Sequence, residues 1–313
     1  MKEIMVFSGN GNPGLARGIC QRLGISLGNM TVSHFPDYEF DPRVNEHVAG
    51  RDAFVVQPTH ATPQSAFDNV GELLLMVHTL KKSKAGRVTA VIPYYGYARS
   101  DWQDEPRKPI VAKLIADLIQ TAGADMVIAI ELHSKQEQGF FGVYCEHLFA
   151  KSIIIPVLRS RGFNPLSISS VDTGGTKLAG SWAKHLGAEK VVLDKERMDG
   201  RTVRIRGHIG PIKGQHVCLV DDESSTGSSL IAGAEYVMEH GALSVGAALI
   251  HAKLVEGAVD RLMASPLEYI YVTDTLPQPP LPESKFKVLS FAPLLADCIV
   301  ALHQDESVSA LHV

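Results

Sequence analysis

The chain has 313 residues, which at a prior of ~150 residues per domain suggests two domains, each long enough to bury a core. Its 30 Lys and Arg against 34 Asp and Glu leave a net charge of −4, without the basic excess that sequence-independent nucleic-acid binding requires. At 45% hydrophobic and 20% charged it also lies far from the composition of a disordered chain.

The first apolar run, Ile4 to Phe7, is too short for a signal-peptide core, and no stretch approaches the ~20 apolar residues of a membrane span. A cytoplasmic protein with no membrane contact is the expectation. Strands are predicted at Ile4–Phe7, Ala53–Gln57, Val88–Pro93, Met126–Leu132, Leu166–Val171, Lys190–Leu193, His216–Val220, Val245–Ile250 and Glu268–Val272. Most are apolar throughout, as in strands covered on both faces, and they alternate with amphipathic segments. Leu73, Met76, Val77 and Leu80 follow helical spacing, as do Ile110, Val111, Leu114, Ile115 and Leu118. Gly123-Ala124, Gly187-Ala188 and Gly241-Ala242 each mark a helix-to-strand corner. Together these elements predict parallel α/β architecture in two closely packed halves, residues 1–148 and 149–313, each a strand-helix series that would suit a duplicated fold. The cysteines at 20, 145, 218 and 298 have no metal-site spacing and read as buried thiols in a reducing compartment.

The strongest chemical signal runs from Val217 to Ser229. A buried strand delivers Asp221 and Asp222 at its end, and Ser224, Ser225, Thr226, Gly227, Ser228 and Ser229 then open a helix from Leu230 to His240. Backbone N–H groups at a helix start accept an anion, small side chains let a phosphate approach, and carboxylates hold ribose hydroxyls or a metal. The plainer alternative is that these residues only cap the helix.

This segment resembles the ribose 5-phosphate signature of phosphoribosyltransferase-type folds, and the whole chain resembles the ribose-phosphate pyrophosphokinase (phosphoribosyl-diphosphate synthetase) family. The motifs match in order: Phe35-Pro36-Asp37-Tyr38-Glu39, the run from Val91 to Asp101, Glu131-Leu132-His133, Gln138-Gly139-Phe140-Phe141, Asp172-Thr173-Gly174-Gly175 and Lys195-Glu196-Arg197. The resemblance implies an α/β chain of two phosphoribosyltransferase-like domains, each a mostly parallel sheet flanked by helices. It implies that Arg99, with Ser100 and Asp101, grips the phosphates of ATP, and that Phe35, Asp37 and Glu39 read adenine, in the family from a neighbouring subunit. His133 lies at the ATP phosphates and their Mg²⁺. Asp172, Thr173, Gly174 and Gly175 form a pyrophosphate loop, with Asp172 also at the metal. Asp221 and Asp222 hold the ribose hydroxyls, and residues 224–229 hold the 5-phosphate. Lys195 and Arg197 belong to a catalytic loop, and the polar stretch 198–214 reads as a lid.

The implied reaction is attack by O1 of ribose 5-phosphate on the β-phosphorus of ATP, giving 5-phosphoribosyl 1-diphosphate and AMP, with Mg²⁺ as cofactor and a homo-oligomer, dimer-based up to hexameric, as the assembly. The chain departs from the commonest family pattern at Ser225 and Gly227-Ser228-Ser229, and at Tyr38, Trp102 and Glu131. Two other readings remain: a non-catalytic associated subunit, against which Lys195, Arg197, His133 and the Asp pair stand, and a phosphoribosyltransferase that consumes the activated sugar, which leaves Tyr94–Asp101 without a role.

Overall fold

A computed structural model describes residues 3–37, 39–61, 65–197, 203–255 and 257–312, without the side chains of Arg197 and Val203. The chain forms two compact units. The first comprises residues 1–149, 275–277 and 290–313, and the second residues 150–274 and 278–289. The chain passes from the first unit to the second at residues 149–150, and its C-terminal residues 290–313 return to the first. The last helix belongs with the first unit.

The first unit is built on a parallel sheet of β1 (Ile4–Ser8), β4 (Asp52–Val56), β5 (Arg87–Ile92), β6 (Met126–Ile130) and β7 (Tyr144–Leu148), in that order. Its central strands β4, β5 and β6 are largely apolar and buried nearly throughout, as in β4, where every residue, Asp52 included, is buried. The helices α1 (Pro13–Leu23), α2 (Ala66–Lys82) and α3 (Val111–Ala122) connect them. Ser65 starts α2 through a reciprocal capping box with Asp68, and Gly123 ends α3 in the left-handed conformation. The predicted stripe on α2 is the buried one: Leu73, Met76, Val77 and Leu80 are fully enclosed. A separate antiparallel pair, β2 (Met30–His34) and β3 (Phe40–Val44), was not foreseen.

The last helix, α8 (Ala292–His303), is held in the first unit by a buried carboxylate. Asp52, 1% exposed, accepts the Arg87 guanidinium through both oxygens and lies 2.7 Å from Nδ1 of His303. Arg87 also donates to the Leu302 carbonyl at 2.9 Å. An unpaired carboxylate at such a position is strongly unfavourable, so this triad specifies where the C-terminal helix docks.

The second unit has seven strands in the order β10 (Val203–Ile209), β9 (Glu189–Arg197), β8 (Leu166–Ser170), β11 (His216–Ser224), β12 (Ser244–Ala252), β13 (Ile270–Thr273) and β14 (Phe286–Leu289). All neighbours are parallel except β9 and β10. Helices α4 (Lys151–Ser160), α5 (Thr176–Leu186), α6 (Ser228–Glu239) and α7 (Ala258–Ala264) complete it. The core is made by inward residues of the central strands and α6, among them Val191, Leu193, Leu219, Leu230, Val237 and Leu249.

Two expectations are corrected here. Lys195 and Arg197 do not lie beyond the end of a strand: β9 continues through them to residue 197. The stretch read as a lid is in large part β10, antiparallel to β9, because Ile205 turns inward while Arg204 and Arg206 face solvent, the alternation of a half-buried strand. Residues 198–202 of that stretch lie outside the described residues. The four cysteines are free and buried, as read from the sequence. Among the described residues no helix is long and apolar enough to cross a membrane.

Candidate active site

In the second unit the chain runs from β8 to β9 and β10 on one side, then returns to place β11 on the other side of β8. The strand order therefore reverses between β8 and β11, which pair in parallel up to Ser170 opposite Val220. In open α/β sheets, ligands gather outside the carboxyl ends of strands at such a reversal. The segments that follow these two strands are the two anion-binding motifs read from the sequence, residues 172–175 and 224–229. The fold makes them neighbours.

Lys195 joins them. From β9 its ammonium donates to Asp172 Oδ2 at 2.7 Å and to Ser229 Oγ at 3.3 Å, and only 9% of its side chain is exposed. Asp172 Oδ1 in turn accepts the Gly175 N–H at 3.0 Å, closing the turn that leads into α5. Burial pushes the Asp172 carboxyl up, but the Lys195 ammonium and the Gly175 N–H outweigh it and hold it below the usual carboxylate range. Asp221 goes the other way: burial, then repulsion from Asp222 and Asp172, push its carboxyl well above that range despite Lys195. The site thus concentrates three carboxylates around one buried lysine.

The loop before α6 is shaped by Gly227, which sits at φ +75° and whose absent side chain leaves room for Leu262; an added Cβ would lie 3.0 Å from that residue. Thr226 Oγ1 and Ser228 Oγ are 3.0 Å apart, and the Ser228 N–H turns to Thr226 Oγ1 at 3.4 Å. Ser228 and Ser229 form the first turn of α6. Hydroxyls and the start of a twelve-residue helix therefore cluster where an anion is favoured.

In the first unit, the segment after β5 turns back at Gly96. Its N–H bonds Thr59 Oγ1 at 2.7 Å, and a Cβ at this position would meet the Thr59 carbonyl oxygen at 2.0 Å, so only glycine allows the approach. Ser100 is a latch rather than a free ligand: its Oγ donates to the Pro109 carbonyl at 3.2 Å and accepts from Val111 N–H at 3.2 Å, closing the base of the loop 100–110 and starting α3. Arg99 is exposed and Asp101 partly so. His133, exposed after β6, and Asp101 both act electrostatically on the buried Glu137, which brings these two predicted residues into one neighbourhood. Phe35 is half exposed beside the β2–β3 hairpin, where its N–H bonds the Glu39 carbonyl at 2.8 Å and Asp37 Oδ1 accepts from the Glu39 N–H at 3.4 Å. Tyr38 lies outside the described residues.

Comparison with known proteins decides the family. The profile described as the N-terminal domain of ribose phosphate pyrophosphokinase matches residues 4–123, and that of the phosphoribosyl synthetase-associated domain matches residues 190–313. Ribose-phosphate pyrophosphokinase of Rhodopirellula baltica is 42% identical over 99% of both chains. That of Campylobacter jejuni is 38% identical over the full length of both. The chain belongs to the ribose-phosphate pyrophosphokinase family. A crystal structure of phosphoribosylpyrophosphate synthetase from Mycobacterium smegmatis superposes with a TM-score of 0.86 at 32% identity, covering 97% of this chain and all of that one. The α/β fold with mostly parallel sheets and the diphosphotransferase class expected from the sequence are those of this family.

Sequence reasoning missed Glu137. It is fully buried, its Oε1 accepts the Ser134 N–H at 2.8 Å, and its Oε2 has no hydrogen-bond partner among the described residues. Burial first, then Asp101, push its carboxyl up to about 7, against the opposing pull of the Ser134 N–H and His133. The Ser134-x-x-Glu137 capping box was the legible signal for it. The Lys195–Asp172 contact had no such signal, because Asp172 lies in the turn after β8 and Lys195 on β9.

Proposed function

We propose that this chain is a ribose-phosphate diphosphokinase in which the turn 172–175 and the loop 224–229 cradle the diphosphate and the 5-phosphate of the sugar product. The observation that supports this most is Lys195, a single buried cation bonded to both segments at the strand-order reversal. A phosphoribosyltransferase would also use such a site, but the full-length match to the pyrophosphokinases, including their N-terminal domain, favours the kinase reaction.

In this reading the loop 224–229 anchors the 5-phosphate through backbone N–H groups, while Asp221 and Asp222 accept hydrogen bonds from the ribose hydroxyls. The raised Asp221 carboxyl suits that role, because sharing a proton with Asp222 lowers the repulsion that two bare carboxylates impose. The anomeric O1 attacks the β-phosphorus of ATP, the bond from that phosphorus to the α-phosphate oxygen breaks, and AMP leaves. Such transfers depend on in-line placement and charge neutralisation. Lys195 supplies a fixed positive charge at the diphosphate, and Arg197, whose side chain lies outside the described residues, is assigned the second. In the first unit, Arg99 and Asp101 are assigned to the ATP phosphates, with Ser100 shaping their loop, and Phe35, Asp37 and Glu39 to adenine.

Among the described residues no group of three or more His, Cys, Asp or Glu is arranged to hold a metal by itself. Mg²⁺ typically takes one or two carboxylates plus substrate phosphates and water, and the partly exposed Asp172 carboxylate fits that demand. Asp172 is assigned to Mg²⁺ on the diphosphate, and His133 to Mg²⁺ on the ATP phosphates. When bound, Mg²⁺ supplies neutralisation of the phosphate oxygens and polarisation of the attacked phosphorus. The assembly is proposed to be a homo-oligomer, as the family resemblance implies.

The test is a steady-state assay of AMP release. It should require ATP, ribose 5-phosphate and Mg²⁺ together. Release that ignores ribose 5-phosphate, or pyrophosphate release that depends on an added base, overturns the assignment.

A further inference from the structure

Three successive carbonyls, from the last residue of β11 into the loop that follows, are tied to one neighbouring segment. Ser224 O accepts the Lys253 N–H at 2.9 Å, and Ser225 O accepts the Val255 N–H at 3.0 Å. These two bonds extend the β11–β12 pairing past its end and need only backbone. The third carbonyl, Thr226 O, is held by a side chain: Nη2 of Arg261, on α7, donates to it at 3.2 Å.

A trans peptide turns its C=O and its N–H in opposite directions. The Thr226 carbonyl and the Gly227 N–H share one peptide plane, so binding the carbonyl to Arg261 directs the Gly227 N–H to the other side of the loop. The two backbone bonds do the same for the N–H groups of Ser225 and Thr226. Three donors are thereby turned away from residues 253–261. The third plane is the one most free to rotate, since it adjoins a glycine at φ +75°. Were it to rotate, a carbonyl oxygen would replace an N–H donor in the cradle, and an anion would meet repulsion instead of a hydrogen bond.

We infer that Arg261 is a positioning residue for ribose 5-phosphate, locking the Thr226–Gly227 peptide with its N–H toward the 5-phosphate. The inference rests on the assignment of residues 224–229 as the 5-phosphate loop. The guanidinium lies over Gly257, itself at φ +74°, where an added Cβ would come within 2.9 Å of Arg261 Nη1. Any side chain at residue 257 displaces the guanidinium, which provides an independent way to break the lock.

The experiment is calorimetric titration of ribose 5-phosphate into the full-length wild type, Arg261→Met, Arg261→Lys and Gly257→Asn, paired with steady-state kinetics and a melting curve. Losing one well-placed donor to a phosphate predicts about tenfold weaker ribose 5-phosphate binding in Arg261→Met and Gly257→Asn. Arg261→Lys should recover part of it. KM for ATP should stay within about twofold and the melting temperature near wild type, because an exposed cation and one loop bond are lost but no core contact. Arg261→Met binding ribose 5-phosphate as wild type does overturns the role of Arg261 and leaves the loop assignment standing. Equal losses for ATP and sugar with a large drop in melting temperature also overturn it, since that is the mark of general damage. Wild type that binds no ribose 5-phosphate overturns the loop assignment and this inference together.

Discussion

The Lys195 ammonium lies 2.7 Å from Asp172 Oδ2 and 3.3 Å from Ser229 Oγ, so a single side chain of β9 ties the turn after β8 to the first turn of α6. Replacing it by alanine removes the charge that, among the described residues, contacts both segments. Lys195→Ala should lower kcat by a factor of 100 or more, about 3 kcal/mol by analogy with the loss of one preorganised donor. Steady-state kinetics check this, and near wild-type kcat would refute the assignment.

The same contact has a pH signature. With Lys195 present, Asp172 has a lowered folded pKa, so its stabilising contribution is present above the unfolded value near 3.8 and is lost as pH falls through the lower folded one. Lys195→Met lacks that contribution. The stability gap between wild type and variant, read from denaturant midpoints, should be full near neutrality and should close in strong acid.

Glu137 behaves in the opposite sense. Its folded pKa is raised from 4.5 to about 7, so the unfolded chain ionises first and stability is lost as pH rises between these values, with no further loss above. Glu137→Gln keeps an acceptor for the Ser134 N–H and removes the charge. The variant should match wild type near pH 4.5 and exceed it at pH 8, by at most on the order of 3 kcal/mol. Chemical denaturation at the two pH values measures it, and a constant offset would contradict the cause given.

Asp221→Asn should separate stability from function. Its carboxyl is raised by burial and by Asp222 and Asp172, so removing its charge should stabilise the protein as pH rises, while KM for ribose 5-phosphate increases. Such a trade is expected where a site stores like charges for its ligand. A melting temperature and a sugar titration on one preparation decide it.

Much of this candidate site is legible in the residues alone, because a strand-loop-helix turn is local. Asp221 to Ser229 and Asp172 to Gly175 are short runs whose glycines and hydroxyls announce a strand-loop-helix turn. What escaped was set by distant partners. Strand β9 carries Asp194, Lys195, Glu196 and Arg197 in its second half, a polar run that shows no strand periodicity until β10 pairs with it. The hairpin β2–β3 escaped because Pro42 argues against a strand and neither five-residue run buries a residue fully, so its alternation is short and weak. The placement of α8 with the first unit depends on His303 meeting Asp52, 251 residues away in sequence, and no local pattern encodes that.

Gly227→Ala tests the loop geometry itself. At φ +75° a side chain costs ~1–2 kcal/mol, and its Cβ would press on Leu262 at 3.0 Å. KM for ribose 5-phosphate should rise at least tenfold with little change in KM for ATP. Equal affinity for the sugar would show that this turn does not carry the phosphate.

Attack at the β-phosphorus of ATP, rather than at the γ-phosphorus, is what separates a diphosphokinase from an ordinary sugar kinase. Phosphorus NMR of a mixture of the protein, Mg²⁺, ATP and ribose 5-phosphate reads this directly. AMP and a diphosphate ester on C1 of the sugar should appear in equal amounts as ATP disappears. Formation of ADP with a singly phosphorylated C1, or of ADP and inorganic phosphate with the sugar untouched, would contradict it.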